Sequence, residues 1–222
     1  MKKTLLLLVP ALLAAARASP AATDGKHFAS TSFRVTNSWF PLKPGSTYVY
    51  RGVKDGKQAR DVVTVAHGAT SIDGVRCGVV QDRLYLGGRL AERTTDWYAQ
   101  DTAGNVWYFG ERTAELDDAG RVVSTEGTWR AGRDGALAGI FMPADPHAGQ
   151  TFRQEYYEGH AEDHFRVLGR SKQLLLTKEW TPLEPGVIDH KLYRREVGTV
   201  REESVQGPVE RLVLVAFRGA RA

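Results

Sequence analysis

Between residues 53 and 90 the chain reads VKDGKQARDVVTVAHGATSIDGVRCGVVQDRLYLGGRL, in which tight-turn signals separate segments rich in apolar residues. Asp-Gly and Gly-Gly pairs supply the positive φ angles that two-residue hairpin turns need. Successive signals begin 14 to 18 residues apart, and the series of five is Asp55-Gly56, Asp73-Gly74, Gly87-Gly88, Ala103-Gly104 and Asp118-Ala119-Gly120. This interval predicts consecutive antiparallel strands of about 8–12 residues, joined as an up-and-down meander.

The second half of the chain continues the alternation of apolar-rich segments and turns, with one interruption. Residues 132–150 carry several glycines and two prolines, and no strand pattern is evident there. We expect this segment to be a loop or a single helical turn that packs four apolar side chains against the sheet: Leu137, Ile140, Phe141 and Met142. Farther on, Pro182-Leu183-Glu184-Pro185-Gly186 predicts a turn between two strands.

About a dozen strands with almost no helix must curl or close, because a long flat sheet exposes two edges and an uncovered face. We therefore predict an all-β protein with one β domain over residues 39–218. The domain is expected to be a single curved antiparallel meander sheet, a half or nearly closed barrel, with the loop at 132–150 plugging its concave side. Residues 22–38 are expected to be an irregular lead-in, and Trp39-Phe40-Pro41-Leu42 to be a hydrophobic plug before the first strand. A two-sheet sandwich is the alternative.

Residues 1–21 have the features of a cleavable signal peptide. Lys2 and Lys3 precede an apolar stretch from Thr4 to Ala16, and small residues follow at a possible cleavage site. The stretch is shorter than the roughly 20 apolar residues that span a bilayer. The sequence thus predicts export to the periplasm or the medium, without a transmembrane anchor.

The charge and cysteine content argue against several function classes. Without Lys2, Lys3 and Arg17, 27 of the 30 Lys and Arg residues remain, against 26 Asp and Glu residues. This balance gives no electrostatic reason to expect nucleic acid or anionic lipid as a partner. The single cysteine, Cys77, lies in an apolar segment and is expected to be a small buried side chain.

Six blocks of the sequence resemble an uncharacterised group of exported bacterial β-rich proteins. The blocks are WFPLKPGSTYVY at 39–50, DWYAQD at 96–101, GNVWYFGE at 104–111, MPADP at 142–146, RQEYY at 153–157 and TKEWTPLEPG at 177–186. The resemblance covers most of the chain after the signal peptide, but it implies no particular activity. At the level of fold alone, the pattern is similar to curved-sheet lipid and lipoprotein carriers of the bacterial envelope.

One candidate metal site is a set of four alternating residues: Glu158, His160, Glu162 and His164. Residues two apart on an extended strand share a face and lie roughly 6.5–7 Å apart, close enough for two imidazoles to share a zinc-like ion. A carboxylate from a neighbouring strand, or His190 with Asp189, could complete such a site. The alternative is a solvated strand face, with Gly159 bending the segment.

The motif blocks also contain the candidate ligand-binding residues: Trp97, Gln100, Trp107, Glu111, Glu155, Lys178 and Trp180. The polar residues of this set, together with Glu179, His190 and Lys191, have two interpretations. In the first, they form cross-strand ion pairs inside the curved sheet. In the other explanation they form a polar patch in a cavity lined by the three tryptophans, which would orient an amphiphilic ligand.

Catalytic signatures are missing from the sequence, which has no Gly-x-Ser-x-Gly, His-Glu-x-x-His, phosphate-loop or Cys-x-x-Cys motif. We therefore expect a monomeric, non-enzymatic binding or carrier module without a cofactor, whose partner is a lipid or another apolar or amphiphilic small molecule. One alternative is a hydrolase whose carboxylates come from separate strands, for example Glu111 and Glu155. Weak metal binding is the other.

Overall fold

The computed structural model describes residues 27–219, and within this range the chain forms fifteen β-strands and no α-helix. The strands are β1 (Thr47–Lys54), β2 (Lys57–Ile72), β3 (Val75–Leu86), β4 (Arg89–Gln100), β5 (Val106–Leu116), β6 (Val122–Ser124), β7 (Trp129–Arg130), β8 (Leu137–Met142), β9 (Thr151–Arg153), β10 (Glu155–Tyr156), β11 (His164–Arg170), β12 (Leu174–Trp180), β13 (Ile188–Arg194), β14 (Gly198–Gln206) and β15 (Arg211–Arg218). The predicted all-β class is confirmed. The predicted signal peptide at residues 1–21 lies outside the described residues.

The five predicted turns all connect neighbouring strands. In the first three, both central residues have positive φ: 52° and 68° at Asp55-Gly56, 47° and 75° at Asp73-Gly74, and 56° and 84° at Gly87-Gly88. Two positive φ angles in a two-residue loop fit a type I′ turn, whose twist matches that of the flanking strands. These turns fix the register of β1 to β4, so Tyr50 lies opposite Asp61, and Val80 lies opposite Asp96.

The strands form one antiparallel sheet that is nearly closed into a barrel. Thirteen of them follow the order β10-β8-β5-β4-β3-β2-β1-β15-β14-β13-β12-β11-β9, while β6 and β7 pair with β5 at its side. The pairing of β1 with β15 brings the first and last strands together. One seam remains unsealed, where β9 pairs with β11 and, after the single residue Gln154, β10 pairs with β8. The predicted curved meander is confirmed, and the sandwich alternative is not formed.

The segment at 132–150 differs from the prediction, because its apolar part is a strand and not a loop. Residues 137–142 form β8, which pairs with β5 on one side and β10 on the other. The glycine that argued against a strand is needed for this packing: a Cβ at Gly139 would collide with the backbone carbonyls of Arg153 and Gln154. Glycine in a strand commonly marks such a close approach of two backbones.

The interior is plugged instead by residues 39–42, which directly follow the lead-in. Trp39 is 1 % exposed. The guanidinium carbon of Arg195 lies 4.5 Å from the centroid of the Trp39 ring. The backbone N–H groups of Thr36 and Asn37 donate to Gln100 Oε1 at 2.7 and 2.9 Å, which fastens the lead-in to β4. A buried ring of this size stabilises a fold by about 3–5 kcal/mol relative to alanine. The predicted hydrophobic plug at residues 39–42 therefore lies in the core.

Candidate functional site

A cavity of about 170 Å³ lies inside the barrel, between the hydrophobic plug at residues 39–42 and the inner face of the sheet. Its walls are aromatic and aliphatic side chains together with four carboxylates: Phe40, Pro41, Leu42, Tyr48, Tyr50, Asp61, Val63, Val80, Asp82, Asp96, Tyr98, Phe141, Val197, Gly198, Thr199, Glu202 and Leu212. Two tyrosine hydroxyls are tied to the backbone, since Tyr48 donates to the Pro41 carbonyl at 3.2 Å and Tyr50 to the Thr199 carbonyl at 3.0 Å. Much of the aromatic wall is thus held in place.

Three aspartates on three adjacent strands reach this cavity: Asp61 on β2, Asp82 on β3 and Asp96 on β4. Side chains opposite one another on paired strands share a face of the sheet. Because Val63 lies opposite Asp82 and Val80 lies opposite Asp96, the apolar and acidic wall residues alternate around the inside. The strand period of two therefore places these carboxylates inside the barrel.

The carboxyls of Asp61 and Asp82 interact directly. Burial raises the pKa of both, and their interaction with each other lowers the pKa of Asp61 while it raises that of Asp82. Each carboxyl therefore resists carrying a charge beside the other. Asp61 is only 9 % exposed, yet its Oδ1 atom has no hydrogen-bond partner. The wall thus contains a buried acceptor oxygen without a donor.

Asp96 is also held away from its ordinary titration range. Burial, followed by the charge of Asp82, raises its pKa to about 7. The Tyr108 hydroxyl donates to Asp96 Oδ1 at 2.7 Å, which works in the opposite direction. The Tyr108 ring stacks on the ring of Tyr98, with centroids 4.8 Å apart, and Tyr98 faces the cavity. The carboxyl is therefore fixed in position but easily neutralised.

The fourth carboxylate, Glu202, belongs to a compensated network. Lys191 Nζ lies 2.9 Å from Glu179 Oε2 and 3.5 Å from Glu202 Oε1, and the Tyr193 hydroxyl donates to Glu179 Oε1 at 3.2 Å. Burial lowers the pKa of Lys191, but the charges of Glu179 and Glu202 outweigh it and raise the pKa well above its ordinary value. Lys191 therefore remains charged and is occupied by this pair of glutamates.

The three tryptophans of the predicted ligand site do not line one cavity, which corrects that part of the prediction. The guanidinium carbon of Arg130 lies 5.8 Å from the centroid of the Trp97 ring. The Trp107 indole N–H donates to Asp101 Oδ2 at 2.8 Å, inside the turn between β4 and β5. Trp180 borders a separate depression on the β11–β12 side of the sheet. Each ring has a local packing partner or surface, and none lines the interior cavity.

The four polar members of the prediction are divided between the two faces of the sheet. Glu111 lies opposite Asp96, so it shares the inner face, and Glu155 accepts a hydrogen bond from the Trp129 indole at 3.3 Å. Burial raises the pKa of both glutamates, that of Glu155 to about 8, but neither lines the cavity. Gln100 holds the lead-in, as described above. Lys178 lies over the Trp180 ring, with Nζ 5.2 Å from its centroid.

The predicted metal-binding strand is not formed. Gly159 has a φ of 75° in a tight turn, and β11 begins only at His164, so the alternation of the four residues on one strand face is lost. Glu162 pairs with Arg153 at 3.1 Å, while the His160 ring stacks on Tyr157 and the His164 ring on Trp180. Among residues 27–219, no group of three or more His, Cys, Asp or Glu side chains has a geometry that would hold a metal ion.

Sequence reasoning missed the residues that do line the cavity, above all Asp61, Asp82 and Asp96. A signal was present in the segments themselves. Asp61 is two residues before Val63 in β2, and Asp82 is two residues after Val80 in β3. Each aspartate therefore lies on the same strand face as a valine of the inner wall. An acidic residue at an apolar position of a strand marks an inward-facing carboxylate.

Comparisons with known proteins add no further information about this site. A scan of family models gives no match to the chain, and searches among curated proteins and among solved structures give none either. Within the described range, no helix is both long and apolar enough to cross a membrane.

Proposed function

We propose that the chain is an exported, non-enzymatic binding module that holds a small amphiphilic molecule inside its barrel. The supporting observation is the cavity, which combines an aromatic and aliphatic wall with carboxylates at defined positions. Such a mixture is typical of ligand pockets, in which apolar surface supplies affinity and a few polar groups fix orientation.

The size of the cavity limits the ligand. A protein cavity of about 150 Å³ is enough to bind benzene, and this one has a volume of about 170 Å³. The enclosed part of the ligand is therefore about as large as one six-membered ring with a short substituent. This favours a small amphiphile over a long acyl chain.

The hydrolase alternative is less well supported than binding. It places the chemistry on Glu111 and Glu155, and neither residue borders the space that a substrate would occupy. Two of the carboxylates that do border it are held in place, Asp96 by a hydrogen bond from Tyr108 and Glu202 by an ion pair with Lys191. These contacts suit a fixed binding wall.

Two neighbouring valines of β2 offer a matched test. Val63 lines the cavity, whereas Val62 is the adjacent residue on the opposite face of the strand and does not. Val63→Phe fills part of the cavity at a cost of about 1–3 kcal/mol in stability. We expect native mass spectrometry of the purified protein to show a small-molecule adduct that Val63→Phe loses and Val62→Phe keeps. An adduct retained equally by both variants would place the ligand elsewhere and contradict the proposal.

A further inference from the structure

We propose that the cavity selects a small organic cation, an amine or quaternary ammonium group attached to a ring-sized apolar body. The inference rests on the proposed binding function and names the chemical class of its ligand. It is carried by the composition of the wall, by an unpartnered carboxylate oxygen and by the position of the aromatic rings.

The wall has carboxylates but no cation of its own. Of the described residues that line the cavity, four are Asp or Glu and none is Lys, Arg or His. The two lysines whose charges act on the wall carboxylate Glu202 are already engaged: Lys191 with Glu179 and Glu202, and Lys54 with Glu210 at 2.9 Å. The aspartates of β2, β3 and β4 therefore lack a compensating charge, and buried charges of one sign require a counter-charge or a proton.

One atom of this wall specifically lacks a hydrogen-bond donor. Asp61 Oδ1 is buried and without a partner, although it borders an open space. An unmet buried acceptor costs about 1–3 kcal/mol, and more for a charged group. An ammonium N–H group in the cavity would donate to this oxygen and at the same time neutralise the Asp61–Asp82 pair.

The aromatic part of the wall suits the same ligand. Tyr48, Tyr50, Tyr98, Phe40 and Phe141 surround the space next to the carboxylates. Ring faces attract cations by about 0.5–2 kcal/mol each, depending on desolvation. An inorganic ion would instead require several oxygen ligands that converge on one point, whereas this arrangement offers apolar surface as well as charge.

The charged groups that face the carboxylates all come from the inner face of the barrel. Besides the four wall carboxylates, these groups are Glu92, Glu111, Glu179 and Asp189, the hydroxyls of Tyr48, Tyr50, Tyr98 and Tyr108, and the lysines Lys54 and Lys191. The acidic groups outnumber the two lysines, so the protons that they hold at low pH compete with a bound cation. Affinity for a cation is therefore expected to increase as the pH rises from about 5 to 8, a range that contains the Asp96 pKa of about 7.

The test compares three probes of nearly equal size and different charge: benzylammonium, benzyl alcohol and benzoate. Binding to the mature chain is measured by isothermal titration calorimetry or by ligand-observed NMR at pH 5 and pH 8, in phosphate buffer without amines. We expect benzylammonium to bind about tenfold or more tightly than benzyl alcohol at pH 8, with a smaller ratio at pH 5, and benzoate to bind weakest. Asp61→Asn should reduce the ratio severalfold, while Asp118→Asn on an exposed turn should leave it unchanged.

The outcomes separate this inference from the proposed function. Equal binding of the three probes at the Val63 cavity would overturn the cation preference but leave a small-molecule site. No binding of any probe, together with no adduct in native mass spectrometry, would overturn both. If Asp61→Asn does not fold, the pH dependence of the unmodified protein decides: a benzylammonium affinity that is flat or decreases between pH 5 and 8 contradicts the inference.

Discussion

Replacement of Asp96 by asparagine should stabilise the ligand-free protein at alkaline pH. The folded chain holds the Asp96 proton up to about pH 7, whereas the ordinary value for the group is 3.8. Between these values the folded state binds more protons than the unfolded state, so the free energy of unfolding decreases as the pH rises. The difference corresponds to about 4 kcal/mol at most. Asp96→Asn removes this loss, and its side-chain oxygen still accepts the hydrogen bond from Tyr108.

The measurement is urea unfolding of the protein from pH 4 to pH 8 in buffers without amines, since an amine could bind the cavity. At pH 8 we expect Asp96→Asn to be about 2–4 kcal/mol more stable than the parent, and at pH 4 to be nearly equal to it. Asp118→Asn serves as the control, because this aspartate is exposed and its ion pair with Arg89 contributes little. An Asp96→Asn variant with the same stability as the parent at pH 8, or with the same pH slope, would refute the reasoning.

Two further predictions concern the seam and the lysine network. Gly139→Ala should lower the unfolding free energy by about 3 kcal/mol, because its Cβ would meet the backbone across the seam. Gly169→Ala, which has free space around its Cβ, should change the unfolding free energy little. Equal urea midpoints for the two variants would contradict this prediction. Lys191→Met leaves two buried glutamates without a cation and should cost about 3–5 kcal/mol at pH 8. The cost should be smaller at pH 5, because burial raises the pKa of Glu202 and a proton then replaces the lost counter-charge. The same substitution at Lys178, over the Trp180 ring, should cost less than 1 kcal/mol in that denaturation experiment, and a loss as large as that of Lys191→Met would argue against the network.

Much of the fold was predictable from the sequence because hairpin turns are local signals. Asp55-Gly56 and Asp73-Gly74 have the positive φ angles that their residue types favour, and they mark the ends of β1, β2 and β3. The segment at 137–142 was not recognised as a strand, because its glycine is explained only by the close backbone of residues 153–154. A contact between segments distant in sequence cannot be inferred from local propensity.

The candidate site was less predictable for a similar reason. Aromatic motif residues such as Trp107 and Trp180 were obvious in the sequence, yet the fold uses them in a turn and on a separate surface. The cavity carboxylates, such as Asp61 and Asp82, sit in ordinary strand segments and become a cluster only when register and curvature bring three strands together. The four alternating residues from Glu158 to His164 needed an extended strand, which the turn at Gly159 prevents.

Methyl NMR with benzylammonium tests the central claim, an occupied cavity inside the barrel, most directly. The cavity wall contains the methyl groups of Val63, Val80 and Leu212, whereas Val209 and Val215 are exposed on the outside by 76 % and 55 %. We predict saturable shift changes concentrated on the three wall residues. Changes confined to the exposed valines, with the wall methyls unmoved, would contradict the account.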